Sequence, residues 1–364
     1  MSGKQSYEQR QTCEGRMHMG ENLSVRKVLR YGAVFLIFAA AACFLVLRGT
    51  DMRTVWEALA DTSIPFLIAG ILLAEVFHLS EGINLRILLG SFGNSVTFWQ
   101  GMKYAYIGFF FSSITPSSTG GQPAQLYAMK KDGIEIAHGT LALIGELASF
   151  QIAVCFMEIM AMAAIIQGKV SPSGELLVLA VLGFLLNLLF ITGLLSVMFS
   201  RRLKDRLLRL LHGAIARLPV KNKEKWQEKL EEAFRDFQAC ADLIRRKPRV
   251  MAKALLVSIC QVICWFSIPY MVCLAMGETA AYPQVFLLQT VLFMTTALLP
   301  FPGAAGISEY AFVRLFSGVF TKNPMAAATL VNRGISFYCL LAISGAMMVF
   351  LWKYKGTRKM SKFV

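Results

Sequence analysis

TPSSTGGQP (Thr115–Pro123) and PFPGAAGISE (Pro300–Glu309) decide how this chain is read, because each interrupts an apolar helix-like run. The runs are Phe98–Ile114 and Val285–Leu299. Pro and Gly at that density cannot continue a helix, so the backbone must break at both places. Around them lie six longer apolar stretches: Tyr31–Leu47, Ile64–Ile83, Thr140–Ile166, Leu176–Phe199, Met251–Met276 and Met325–Leu351. Each is close to the length that crosses a bilayer, ~20 residues at 1.5 Å rise for a hydrocarbon core of ~30 Å. Inside hydrocarbon, a broken backbone is tolerated only where it is buried in protein or lines a wet cavity. The expected fold is therefore all-α and polytopic, with about six full spans and two re-entrant or broken hairpins.

Composition agrees. Of 364 residues, 56% are hydrophobic and only 16% charged, and the mean hydropathy is +0.55. Soluble domains carry about a quarter of their residues as charges. The net charge of +15 does not indicate nucleic acid, since the basic residues cluster at both ends and between spans, as the positive-inside rule expects. Ser200–Val250 alone holds fifteen Lys/Arg against seven Asp/Glu. It reads as a basic amphipathic segment resting on the anionic cytoplasmic leaflet. Six of the eight cysteines (Cys43, Cys155, Cys260, Cys264, Cys273, Cys339) fall in apolar runs and form no CxxC pair. Neither a metal site nor a cofactor is expected, and the thiols read as packing groups.

Putting every basic segment on the cytoplasmic side requires both broken stretches to enter and return on one face, as re-entrant hairpins or helix pairs. The chain then divides into a cytoplasmic tail (1–30), a first membrane half (31–199, broken at 98–135), the basic segment (200–250), a second half (251–351, broken at 284–320) and a basic tail (352–364). Both termini are expected in the cytoplasm, in a bacterial-type cell membrane. The halves repeat: Pro116 and Gly120 recur as Pro302 and Gly306, each 186 residues on. With the hairpins opening to opposite sides, this is an inverted repeat, an architecture whose substrate site lies between the halves near the midplane.

Ionisable residues inside spans are costly and mark function by default. Glu75, His78 and Glu81 share one face of the second span, and Glu146 and Glu158 lie in the next. Glu309 and Arg314 follow the second break, and Asn332 and Arg333 sit in the last span. The repeat carries Glu146 onto Asn332. Two compatible readings stay open: an internal ion pair tethering helices, such as Glu309 with Arg333, or contacts to a substrate. The glycine-rich breaks are neither a P-loop nor a dinucleotide fingerprint. They offer backbone N–H groups at half-helix N-termini to a phosphate or carboxylate, or else they are turns without a ligand. The contacts would be Gly120, Gly121 and Gln122 in the first, and Pro302, Gly303, Gly306, Ser308 and Glu309 in the second.

TPSSTGGQPAQLYAMKKDGI (Thr115–Ile134), GELASF (Gly145–Phe150), LPFPGAAGISEYAF (Leu299–Phe312) and NRGISFY (Asn332–Tyr338), in that order, resemble the flippase-like membrane domain of lysylphosphatidylglycerol synthases, the multiple peptide resistance factors. The resemblance implies a phospholipid substrate, with an aminoacylated (lysyl) phosphatidylglycerol passed to the outer leaflet and resistance to cationic peptides as the consequence. Full-length relatives join this domain to a cytosolic lysyltransferase. No such synthase domain is expected here, so the alternatives are the phosphatidylglycerol lysyltransferase activity of the family label, or a membrane partner of a separate synthase. Relatives tend to carry Gly-Glu where this chain has Gly121-Gln122, and Glu-Arg where it has Glu146-Leu147.

Overall fold

The computed structural model describes residues 51–115, 119–172, 174–199, 247–296 and 306–358, with isolated positions such as Leu47 besides. The expected first span (Tyr31–Leu47) apart from Leu47, together with Pro116, Pro302 and Gly303 and most of the basic segment 200–250, lies outside them.

Eleven helices are described: α1 (Met52–Ala60), α2 (Ile64–Ser91), α3 (Phe98–Ile114), α4 (Gly121–Lys131), α5 (Ile136–Ile166), α6 (Gly174–Phe199), α7 (Pro248–Ala275), α8 (Tyr282–Thr296), α9 (Ile307–Phe316), α10 (Met325–Arg333) and α11 (Leu340–Arg358). A π-type turn, Gly334–Cys339, joins the last two. Among the described residues there is no β-strand. Among the described residues, five helical stretches are long and apolar enough to cross a membrane: Ile64–Ser91, Ile136–Ile166, Gly174–Gly193, Pro248–Ala275 and Met325–Met348. They coincide with the second to sixth runs expected from sequence. The 28 residues of α2 extend about 42 Å, more than the ~30 Å hydrocarbon core.

The two broken stretches are helix pairs. Helix α3 starts on a capping box, with the Gln100 N–H donating to Thr97 Oγ1 and the Thr97 N–H to Gln100 Oε1. It ends at Ile114, and α4 returns beside it. Lys103 pairs with Asp132, Tyr104 Oη donates to Asp132 Oδ2 at 2.8 Å, and Gln125 Nε2 donates to the Tyr104 carbonyl at 3.1 Å. At 17 and 11 residues, neither helix reaches the ~20 that a span needs. The pair α8 and α9, with 15 and 10 residues, repeats the arrangement.

The repeat is visible in the element boundaries. Helices α2, α3, α4 and α5 begin at residues 64, 98, 121 and 136, and α7, α8, α9 and α10 at 248, 282, 307 and 325, offsets of 184, 184, 186 and 189. Packing obeys the same exchange: α5 lies against α7 and α8, as α11 with its π turn lies against α2 and α3. The equivalent helices α2 and α7 touch along most of their length. The Ser63 N–H donates to the Ala275 carbonyl at 2.7 Å, Gly70 faces Met271, and Asn84 Nδ2 donates to Ser258 Oγ at 2.9 Å. Early residues of one helix thus meet late residues of the other, so the two run antiparallel. Equivalent helices packed antiparallel invert one half relative to the other.

Close approach sets the inner packing of the first half. A Cβ on Gly101 would sit 2.5 Å from the Gly82 carbonyl oxygen, so α2 and α3 cross backbone to backbone. Helix α6 crosses α8 as tightly at Gly183, where a Cβ would lie 1.9 Å from the Met294 carbonyl oxygen.

Candidate functional site

Helices α7, α8, α9 and α10 border a cavity of about 180 Å³ that lies within the second half, not between the two halves as the repeat led one to expect. Helix α7 contributes Trp265, Ile268 and Pro269, and α8 contributes Gln289, Leu292, Phe293 and Thr296. Ser308, Glu309 and Phe312 come from α9, Thr329, Asn332 and Arg333 from α10, and Ser336 from the π turn. Two of the walls are irregular where they face it. Pro269 lies inside α7 and deprives the Trp265 carbonyl of its helical donor. The π turn begins directly after Arg333; such widened turns recur at functional sites.

Glu309 and Arg333 form the charged corner of this cavity. Arg333 Nε donates to Glu309 Oε1 at 2.6 Å, and Arg333 also reaches Ser308 Oγ. The Gly306 N–H and Ser308 Oγ donate to Glu309 Oε2 at 2.6 and 3.0 Å. Gly306 holds φ at 89°, a left-handed conformation that glycine adopts without a Cβ penalty, so that α9 starts with Glu309 folded back over its first N–H. The ion pair that sequence offered as one of two readings is present, and it borders the cavity that the other reading required. The Gly306 N–H, offered to an external anion, serves Glu309 instead. Asn332 sits at the cavity wall beside Arg333, and Arg314 is exposed on the far side of α9.

The first half gathers a second polar cluster. Tyr106 Oη donates to Glu75 Oε2 at 2.6 Å, and Gln125 Nε2 donates to Glu81 Oε1 at 2.6 Å. Glu146 on α5 lies within electrostatic reach of Glu81. His78 is fully buried, its Nδ1 3.2 Å from the Ala74 carbonyl and its ring stacked on Tyr106 with centroids 5.5 Å apart. Aromatic rings bridge the two clusters. His78 meets Phe109 edge-on at 4.6 Å, Phe109 meets Phe337 at 6.3 Å, and the Arg333 guanidinium lies 5.6 Å from the Phe337 centroid.

The first glycine break serves packing. A Cβ on Gly121 would fall 2.0 Å from Ser112 Oγ, and the Gly120 N–H donates to Thr115 Oγ1 at 2.9 Å. Gln122 is exposed. Glu158 joins α5 to α6 by accepting from Asn187 Nδ2 at 2.6 Å. Sequence reasoning missed Trp265, Gln289, Thr296, Thr329 and Ser336 on the cavity wall, and Tyr106 and Gln125 in the first cluster. Gln289, an amide within FLLQTVLF (Phe286–Phe293), carried a readable signal; the hydroxyls, common in any helix, did not.

An all-α, multi-pass membrane protein with inverted halves, the second of which holds a cavity bordered by an ion pair, is the class defined by this fold and site. Residues 32–344 match the family described as the lysylphosphatidylglycerol synthase TM region, and the chain belongs to that family. It is similar to two archaeal proteins described as UPF0104 membrane proteins. One, from Archaeoglobus fulgidus, is 22% identical over 304 residues, covering 83% of this chain and 92% of the relative. The other, from Methanothermobacter thermautotrophicus, is 23% identical over 354 residues, covering 95% and 99%.

Proposed function

We propose that this chain binds a membrane phospholipid by its headgroup in the cavity between α7 and α10 and passes it from one leaflet to the other. The observation that carries this reading is the Glu309–Arg333 ion pair bordering that cavity. Burying two charges costs several kcal/mol per ion, and tethering helices rarely requires it, since apolar residues of similar volume pack as well or better. A polar guest gives the pair a task. Arg333 meets the lipid phosphate by charge-assisted hydrogen bonds, while Glu309 and Ser308 hold the guanidinium at the wall. The cavity lies within the second half, and the movement is placed there: the Pro269 break in α7 and the π turn after Arg333 let α9 and α10 shift against α7 and α8, opening it to each side in turn. Glu75, His78, Glu81 and Glu146 line the path in the first half, coupled to Arg333 through Phe109 and Phe337.

The family label makes lysylphosphatidylglycerol the first lipid to test. The sidedness follows from charge: the basic tails and the 200–250 segment lie in the cytoplasm, that segment on anionic lipid, where a separate synthase has access to it. The test is a leaflet-resolved assay with purified protein in vesicles holding labelled phosphatidylglycerol or its lysyl ester. Headgroup movement that depends on protein and is abolished in Glu309→Gln supports the reading. Movement equal to that of empty vesicles refutes it.

A further inference from the structure

The oxygens of two buried amides on the cavity wall lack partners. Gln289 and Asn332 are 8% and 7% exposed, and Gln289 Oε1 and Asn332 Oδ1 are buried without a hydrogen-bond partner. Both residues line the cavity described above. Leaving such a group unsatisfied costs about 1–3 kcal/mol, so native proteins retain one only for a reason. The neighbouring hydroxyls do not relieve them. Thr296, Thr329 and Ser336 each donate to a carbonyl of their own helix, those of Leu292, Met325 and Asn332, and so present lone pairs to the cavity. The wall is rich in acceptors and asks for donors.

Charge narrows the choice. Glu309 is matched by Arg333, and no other carboxylate lines the cavity among the described residues. An ammonium group placed there would lack a free counter-charge, since Glu309 is already paired with Arg333, and burying an unpaired charge is penalised heavily. A carboxylate or second phosphate would set acceptors against acceptors. A hydroxyl both donates and accepts, and it satisfies an amide whichever way the amide is turned. Trp265, Phe293 and Phe312 add apolar surface for the C–H faces between hydroxyls.

We infer that the cavity selects an uncharged, polyhydroxylated headgroup, a glycerol or a single sugar, held by Gln289 and Asn332. This rests on the reading of the cavity as a headgroup site. It separates the recognised part of the lipid from any lysyl group attached to it, which then projects out of the cavity.

The test is competitive lipid retention on the purified full chain in phosphatidylcholine nanodiscs, read by native mass spectrometry. Phosphatidylglycerol is set against phosphatidylserine, equal in net charge but carrying an ammonium and a carboxylate in place of hydroxyls. A monoglucosyl diacylglycerol and lysylphosphatidylglycerol are run alongside. Phosphatidylglycerol and the glucosyl lipid are expected to be retained about tenfold over phosphatidylserine, as two buried hydrogen bonds allow. Gln289→Met and Asn332→Leu should each bring the ratio towards one. Both remove an unsatisfied group and so should keep the fold; Thr329→Val, isosteric on the same wall, carries the test where either does not. Preference for phosphatidylserine, parity in the wild type, or a ratio unchanged in the variants overturns the inference. Lipid that moves in vesicles without hydroxyl preference sinks this inference alone, whereas no retention and no movement of any lipid sinks the headgroup reading with it.

Discussion

Arg333 Nε donates to Glu309 Oε1 at 2.6 Å, joining the last turn of α10 to the first turn of α9 at the cavity wall. With side chains 16% and 6% exposed, neither charge has much water to fall back on. Removing one partner strands the other, at about 3–5 kcal/mol. Arg333→Met is therefore expected to lower unfolding stability in detergent by that amount, and Glu309→Gln by less, because the amide still accepts from Gly306. The double variant Glu309→Gln/Arg333→Met should regain at least half the loss while lipid movement stays abolished. Recovery of movement together with stability would assign the pair a tethering role only.

Gly82 and Gly101 bring α2 and α3 into backbone contact. Gly101→Ala places a methyl 2.5 Å from the Gly82 carbonyl oxygen, where nothing flexible can yield. Overpacking of this kind costs about 1–3 kcal/mol. A thermal melt of the purified variant should show the drop, and Gly90→Ala, whose Cβ meets nothing within 4 Å, should show none.

Tyr106 supplies the hydrogen bond to Glu75 Oε2, while Glu75 Oε1 is buried without a partner. Tyr106→Phe leaves that carboxyl group without its donor and should cost about 1–3 kcal/mol. The same variant keeps the ring stacked on His78, so the bridge of rings to Arg333 survives. Lipid movement is accordingly expected to fall by less than in Glu309→Gln, measured in the same vesicles.

Glu278, in the loop after α7, ties that loop to the segment before α10. Burial raises its carboxyl pKa, but hydrogen bonds from the Asn323 side chain and from backbone groups of residues 321–323 outweigh it, leaving the pKa below the ordinary value of 4.5. A group whose folded pKa is depressed stabilises above its unfolded pKa and loses that contribution as pH falls through the folded one. Stability of the wild type should fall on acidification below about pH 4.5, and Glu278→Gln should be less stable at neutral pH with a shallower acid slope. Identical slopes would exclude this link.

Most of the architecture is legible in the sequence because the bilayer restricts the choices. Long uncharged runs have to be helices, and Pro-Gly clusters such as Thr115–Pro123 have to end them, so five spans and both helix pairs appear where the residues place them. The offset between Gly120 and Gly306 carries the repeat as well. The site is less legible. Glu309 and Arg333 stand out as charges in apolar surroundings, but their pairing depends on how α9 and α10 pack. The π turn after Arg333 follows from no local propensity of GISFYC (Gly334–Cys339). Gly121, which reads as a ligand contact, turns out to admit Ser112, because a residue without a side chain marks close approach of any kind, whether to a ligand or to a neighbouring helix.

The most direct measurement is photo-crosslinking of lipid from native membranes by a diazirine-bearing residue at position 293, an apolar position on the cavity wall, with position 182 as control. Leu182 is 48% exposed on α6, outside the cavity on a helix long and apolar enough to cross a membrane. A phospholipid adduct at 293 that retains its headgroup, enriched in one lipid class relative to the adducts at 182 and lost in Glu309→Gln, is the expected result. Adducts at 293 with the same class distribution as at 182, or no lipid at 293 at all, would contradict a headgroup site in the cavity.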